Sequence, residues 1–196
     1  TVGKDLTLYA GSLDLQGRLE AEGNLTLQAT DTVKVRDSLE NPFIAAAGGK
    51  LLVQGNESVN IFALNHPDSG LFSGGDMVLR SANPVLGDAH YWSGGNFQIQ
   101  QTNGDLGELY SDSDPIIRSA GDVSFYGYIG ASLHILAGGS VDINTAIITS
   151  ADTTGNTINP QNTPELANVT LSDGTSLVID GSAKPTLDIR AGMKQE

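Results

Sequence analysis

The sequence predicts an all-β chain folded as a parallel β-helix, a β-solenoid, and three observations predict it. A small residue followed by two glycines recurs along the chain, a triplet with apolar first and third residues follows each copy, and the copies are spaced by about one solenoid turn. The full copies are Ala47-Gly48-Gly49, Ser73-Gly74-Gly75, Ser93-Gly94-Gly95 and Ala137-Gly138-Gly139, with looser copies at Gly23 and Gly121. Counting from the last glycine of each copy, the steps are 26, 26, 20, 26 and 18 residues. Periods of this size belong to solenoids. A leucine-rich repeat has a similar length, but its Leu-x-x-Leu-x-Leu frame is absent.

The triplets after the corners read as strands. Leu25-Thr26-Leu27, Leu51-Leu52-Val53, Met77-Val78-Leu79, Phe97-Gln98-Ile99, Val123-Ser124-Phe125 and Val141-Asp142-Ile143 keep apolar residues at the first and third positions, the period-two signature of a half-buried strand. Further short alternating runs lie between them: Leu6-Thr7-Leu8, Leu13-Asp14-Leu15, Val33-Lys34-Val35, Val59-Asn60-Ile61 and Leu133-His134-Ile135. Each unit therefore holds two or three short strands joined by polar or glycine corners. Gly23, Gly49, Gly75, Gly95, Gly121 and Gly139 are the expected structural corner glycines, placed where a sharp turn favours positive φ. Seven or eight coils are expected before residue 150, a rod on the order of 35 Å at about 4.8 Å per coil.

Residues 151–167, rich in Asn, Thr and Pro, interrupt the pattern and are expected to protrude as a loop. The domain reading is thus coils over 1–150, the loop over 151–167, and continuing, truncated coils over 168–196. Val169-Thr170-Leu171, Leu177-Val178-Ile179 and Leu187-Asp188-Ile189 are taken as their strands, ending on an Arg190-Ala191-Gly192 corner. The first triplet begins at Leu6, so the chain is expected to start inside a solenoid.

Composition agrees. The 24 glycines in 196 residues are nearly twice the usual share, and a hydrophobic fraction of 39 % suits a thin rod. A net charge of −13 repels phosphate backbones and anionic lipid, which argues against a nucleic-acid partner. No apolar run approaches the ~20 residues of a membrane helix, so membrane insertion is not expected. Cysteine is absent.

Three runs carry a family resemblance: Gly94-Gly95-Asn96-Phe97-Gln98-Ile99, Asp114-Pro115-Ile116-Ile117-Arg118-Ser119-Ala120-Gly121-Asp122-Val123-Ser124-Phe125, and Gly130 through Val141. With Leu171-Ser172-Asp173-Gly174-Thr175 and Val178-Ile179-Asp180-Gly181-Ser182, they resemble the large filamentous-haemagglutinin-type exoproteins of bacteria, over roughly residues 70–192. The resemblance implies two-partner secretion, a right-handed β-helix, an extracellular or cell-surface location, and work as an adhesin or fibre. The family's amino-terminal secretion domain with its Asn-Pro-Asn-Gly motif is missing here, so the expectation is an internal piece of shaft. Its implied partners are further coils of the same polypeptide or stacked copies, cell-surface glycans, or other fibre components.

Parallel β-helices also carry polysaccharide-cleaving enzymes, so the acid candidates need weighing. Asp105, Glu108, Asp112 and Asp114, with Arg118 and His134 near in sequence, are the best set. Acids at i and i+2 of a strand share a face and suit calcium binding or acid-base work, which makes Asp112 and Asp114 calcium candidates. The plainer reading of Ser111-Asp112-Ser113-Asp114-Pro115 is a solvated corner whose Asp and Ser side chains bond their own backbone. No phosphate loop, nucleophile elbow, His-Glu-x-x-His or calcium nonapeptide occurs. The three histidines are placed at different coil positions, with His134 the outward middle residue of its triplet. Tyr91 and Trp92 sit at a corner and are the candidates for stacking on a sugar ring; the competing reading has Trp92 capping the core. The expectation is a structural or adhesive shaft segment with no catalysis and no cofactor, with a carbohydrate-active β-helix as the alternative.

Overall fold

The structure is a computed structural model that describes residues 2–152 and 168–193. Among these residues there is no helix, and the strands stack into a parallel β-solenoid. Coil one runs through β1 (Leu6–Ala10), β2 (Leu13–Leu15) and β3 (Arg18–Ala21); coil two through β4 (Leu25–Ala29), β5 (Thr32–Arg36) and β6 (Ile44–Ala47). Coil three follows as β7 (Leu51–Gly55), β8 (Ser58–Phe62) and β9 (Gly70–Ser73), and coil four as β10 (Met77–Ser81), β11 (Val85–Asp88) and β12 (His90–Ser93). Coil five is β13 (Phe97–Gln100), β14 (Glu108–Ser111) and β15 (Ile116–Ser119). In coil six the first two strands fuse into β16 (Val123–Ala131), and β17 (Leu133–Ala137) is the third. β18 (Val141–Ser150) opens coil seven.

The sequence steps are the coil lengths. Leu25 pairs with Leu51, Leu51 with Met77, Met77 with Phe97, Phe97 with Val123, and Val123 with Val141, all in parallel. The fused strands β16 and β18 join the first two faces of the rod into one 12-stranded sheet, and the third strands form a separate 7-stranded sheet. Six complete coils and the opening of a seventh precede residue 150, against the seven or eight expected.

Inward residues stack in columns. Leu27, Val53, Leu79 and Ile99 are fully buried along the first face, and burying such a side chain stabilises by roughly 1.5–3 kcal/mol. Coil four is a short coil, and Gly87 there stands where Ile61 stands one coil below. The Tyr91 ring fills the room, donating its hydroxyl hydrogen to the Gly87 carbonyl at 3.0 Å and packing on Phe97 with ring centroids 5.3 Å apart.

The corner glycines serve a purpose other than the expected one. None of the six has positive φ; among the described residues that conformation belongs to Gly17, Gly104, Gly130, Gly174 and Gly192. They are glycines because coils approach too closely for a side chain. A Cβ on Gly23, Gly49, Gly95, Gly121 or Gly139 would collide with Oδ1 of Asp5, Asn24, Asp76, Asn96 or Asp122, respectively, in the coil below. Those oxygens are there for a reason. Each accepts a hydrogen bond from the backbone N–H just after the next coil's glycine: Asn24 to Asp5 at 2.8 Å, Lys50 to Asn24 at 2.9 Å, Asn96 to Asp76 at 2.8 Å, Asp122 to Asn96 at 2.9 Å and Ser140 to Asp122 at 2.9 Å. An Asx ladder thus runs up one edge of the rod. Lys50 interrupts it, and there the Gly75 above has no contact under 3.3 Å.

The chain beyond β18 departs from the expected continuation. Of the 151–167 segment, residues 153–167 lie outside the described residues. Val169 and Leu177 are paired across an antiparallel hairpin, β19 (Asn168–Thr170) with β20 (Ser176–Val178), which is separate from the coils. The run Leu171-Ser172-Asp173-Gly174-Thr175 is its turn, closed by Gly174 at φ 86°. Only β21 (Leu187–Arg190) rejoins the rod, pairing with β17 from Leu133–Leu187 to Leu136–Arg190. The Arg190-Ala191-Gly192 corner does stack as expected, with Gly192 N–H donating to the Gly139 carbonyl at 2.9 Å.

Candidate functional site

Functional chemistry concentrates on the outer side of the third sheet. Its strands are four to five residues long, so each offers two outward positions, and parallel in-register pairing turns these into two columns. One column holds His90, Ile116, His134 and Asp188; the other holds Phe72, Trp92, Arg118, Leu136 and Arg190. The first half of this face, over coils three to five, is open. The second half, over coils five to seven, is covered.

The open half is a cleft of about 280 Å³. Its floor exists because β9 begins with Gly70: the Phe72 ring folds back over that residue, so close that a Cβ on Gly70 would lie 2.9 Å from Phe72 Cζ. Phe72 is 38 % and Trp92 41 % exposed, large values for aromatic rings. The Arg118 guanidinium sits over the Trp92 ring, 4.9 Å from its centroid, a cation–π contact that holds the indole in place. His90 Nε2 lies 3.4 Å from Asp114 Oδ2.

The third wall is the turn before β9, and Asp37 builds it. Asp37 Oδ2 accepts from Asn65 N at 3.0 Å, His66 N at 2.9 Å and Ser69 Oγ at 2.6 Å, while Oδ1 accepts from Asn65 Nδ2 at 2.9 Å. Ser69 Oγ also accepts from Phe43 N at 3.0 Å. With four donors on one carboxylate, the turn Pro67-Asp68-Ser69 is held in position and presents the exposed Asp68 carboxylate to the cleft.

The covered half holds a buried polar network. His134 Nδ1 lies 2.9 Å from Asp188 Oδ2, and Nε2 lies 3.5 Å from Asp152 Oδ2. Asp188 also takes two donors from Arg190, at 3.0 and 2.9 Å. The turn at 180–184 lies over the network: Ser132 Oγ donates to the Gly181 carbonyl at 2.8 Å, Asp152 N–H donates to the same carbonyl at 2.8 Å, and Thr186 N–H donates to Ser132 Oγ at 2.9 Å. Gly181 is required there, since a Cβ would lie 2.6 Å from His134 Nε2.

Charges in this network are shifted as the geometry demands. Burial opposes a charged His134, but hydrogen bonds and attraction from Asp152 and Asp188 outweigh it and push the imidazole up to about 9. For Asp152, burial is the leading cause and the nearby Asp114 carboxyl adds to it, against the pull of His134, giving about 6. Its side chain is 6 % exposed and Oδ1 has no hydrogen-bond donor. Asp188 is held below the usual carboxylate range, because the His134 and Arg190 hydrogen bonds outweigh the burial that opposes them.

The sequence candidates scatter accordingly. Tyr91 is removed from the sugar-stacking pair, since alternation along β12 turns it inward to 1 % exposure while Trp92 faces out. Trp92 accordingly does not cap the core. Asp112 and Asp114 do not act together: Asp112 is exposed and Asp114 buried beside His90. The Ser111–Pro115 corner is therefore solvated at Asp112 but buried at Ser111 and Asp114; Ser111 donates to Asp88 Oδ1, which Ser113 N also bonds at 2.9 Å. Asp105 lies exposed in the loop before β14, and Glu108 lies on the second face, where it accepts from the Tyr110 hydroxyl at 3.3 Å. Among the described residues no group of three or more His, Cys, Asp or Glu is arranged to hold a metal ion. His134 faces outward as expected but is buried, and it shares a column with His90, contrary to the expectation that the histidines occupy different positions.

Asp37, Gly70, Phe72, Asp152 and Asp188 were not singled out from sequence. Asp152 and Asp188 are distant from His134 along the chain and meet it only when coil seven closes. No protein-family model, curated protein or solved structure matches this chain.

Proposed function

We propose that this chain is a shaft segment of an extracellular bacterial surface fibre or adhesin, wound as a right-handed β-helix and acting as a rigid scaffold without catalysis. The handedness rests on the strong preference of parallel β-crossovers for right-handed connection. The setting rests on the resemblance of residues 94–99, 114–125 and 130–141 to filamentous-haemagglutinin-type exoproteins. One observation carries the structural role: the chain spends its polar side chains on joining coils. Asp5, Asn24, Asp76, Asn96 and Asp122 all tie one coil to the next, and Asp37 spans two coils to fix a turn.

The enzymatic alternative needs convergent acids open to substrate. Here Asp114, Asp152, His134 and Asp188 converge, but beneath the 180–184 turn, and a glycosidase needs its two carboxyl groups on either side of an accessible bond. The test is incubation with acidic and neutral polysaccharides, with and without calcium. The expected outcome is no reducing-end release and no ultraviolet-absorbing unsaturated product. Release that disappears in Asp114→Asn would replace the shaft reading with the enzyme.

A further inference from the structure

We propose that the cleft floored by Phe72 and walled by Trp92, His90 and the Pro67–Ser69 turn binds one neutral pyranose ring of a glycan. This rests on the adhesive half of the function proposed above and adds to it a site and a ligand class.

Four features point to that ligand. Phe72 lies back over Gly70 and stays 38 % exposed, which offers a flat apolar surface, and Trp92 stands one coil further on in the same column. An aromatic face carries a negative quadrupole, and the C–H groups on one side of a pyranose are its natural complement. The cleft is about 280 Å³, close to the lower end, ~300 Å³, of small-ligand pockets, so it suits one ring and not an extended folded partner. Its polar rim is sparse and mixed: the Asp68 carboxylate accepts from hydroxyls, and the His90 imidazole, steadied by Asp114, exchanges hydrogen bonds with them. Finally, the exposed Asp68 and the net charge of −13 oppose uronic or sialic acids, while the Arg118 guanidinium that also lines the cleft is buried and engaged with the Trp92 ring, a balance that favours neutral sugars.

The site is also built in advance. Asp37 fixes the turn through four hydrogen bonds, and Arg118 fixes the indole. Groups held in place before binding lose little freedom when a ligand arrives, which matters for a weak, single-ring ligand.

The chain supplies its own reporter, because Trp92 is its only tryptophan. Emission is titrated with methyl glycosides of glucose, galactose, mannose and N-acetylglucosamine, with glucuronate and tetramethylammonium as charged controls. The expected result is a saturable change with at least one neutral glycoside in the millimolar range, weakened at least tenfold in Phe72→Ala. Tyr126→Ala, exposed on another face, should bind as the parent does. Saturation-transfer NMR on the parent protein should show the same glycoside receiving magnetisation from aromatic protons, which keeps the test informative should a variant fold poorly. The proposal is overturned by no saturable response to any neutral glycoside, by a response that survives Phe72→Ala, or by one confined to glucuronate or tetramethylammonium. Any of these would leave the shaft reading standing, since its own test does not involve Trp92.

Discussion

Single side chains set both the spacing of coils and the charge state of the covered face. Asn96 accepts from Asp122 N and gives its own N–H to Asp76, so Asn96→Ala should cost about 1 kcal/mol, the usual worth of such a bond. Gly121→Ala drives a methyl into Asn96 Oδ1 and should cost about 2 kcal/mol. Because the two share one contact, the double variant should lose clearly less than the sum, and denaturant melts in a double-mutant cycle measure that. Additive losses would mean the ladder is not what excludes a side chain. Lys50→Asn should restore the missing rung and stabilise by roughly 0.5–1 kcal/mol. This ladder was legible in principle, since Asn24, Asp76, Asn96 and Asp122 each follow a corner glycine. Lys50 broke the pattern, and the glycines invited the commoner explanation of positive φ.

His134 gives the residue scale its pH dependence. It faces Asp152 after β18, Asp188 and Arg190 on β21, and Asp114 across Asp152, with Asp180 in the overlying turn. Its pKa of about 9 lies above the ordinary 6.5, so its stabilising contribution is complete below pH 6.5 and lost as pH rises through 9. Asp152, raised to about 6 from 3.8, shifts the same way: its contribution is complete below pH 3.8 and lost as pH rises through 6. Asp188, held low, acts oppositely and withdraws its contribution only in acid. Melting temperature should therefore fall between pH 6.5 and 10, and His134→Gln should be less stable than the parent at pH 6.5 and decline less steeply as pH rises through 9. Parallel declines in the two proteins would assign the trend to general charge repulsion.

At the scale of elements, alternation decides nearly everything. The inward sets of β4, β7, β10 and β13 were readable as apolar first and third positions, and their register followed from the glycine steps alone. Ile143 lies inward too, but on the last coil it is only partly covered, so a buried-charge test belongs deeper in the stack. Ile99→Asp should cost several kcal/mol, because an unpaired carboxylate would sit in a dry column, while Gln98→Lys on the outward side should change stability by less than about 0.5 kcal/mol. Equal losses in thermal melts would overturn the register. The sequence could not show the same for β19 and β20. Val169-Thr170-Leu171 and Leu177-Val178-Ile179 have the strand pattern, but alternation states only that a strand has one covered face and not which strand lies beside it. The histidine column was lost differently: the 26- and 18-residue steps carry His90 onto Ile116 and then His134, but only once those steps are applied to the third face as well as the first.

Among the described residues the molecule is a short stack of coils whose terminal strands are only partly paired. Within these residues, β1 and β2 have strand partners on one side only, and so do β18 and β21, while the outer edge of β3 carries a single bridge from Val2 to Ala21. The apolar columns run out there, leaving Leu6, Leu8, Leu13 and Leu19 partly covered at one end and Val141, Ile143, Ala146 and Ile148 at the other. Strand edges with free N–H and C=O groups recruit further strands, and terminal repeats of a solenoid ordinarily need a polar cap. Opposing this is a net charge of −13. At ~0.01 M salt the screening length is about 30 Å, the length of seven coils at ~4.8 Å each, so like-charged rods repel along their whole extent. At ~0.1 M it falls to about 10 Å, the repulsion becomes local, and the short-range attraction of the ends takes over. Sedimentation velocity should therefore find a monomer in dilute buffer and progressively longer species as salt is raised, with Leu8→Lys/Leu19→Lys abolishing the growth by placing charge on one end. A monomer that persists at high salt and high concentration would show that the ends are not adhesive. Growth untouched by the double lysine variant would place the contact on a lateral face, where Leu86, Tyr110, Ile129 and Ile147 line up across four coils.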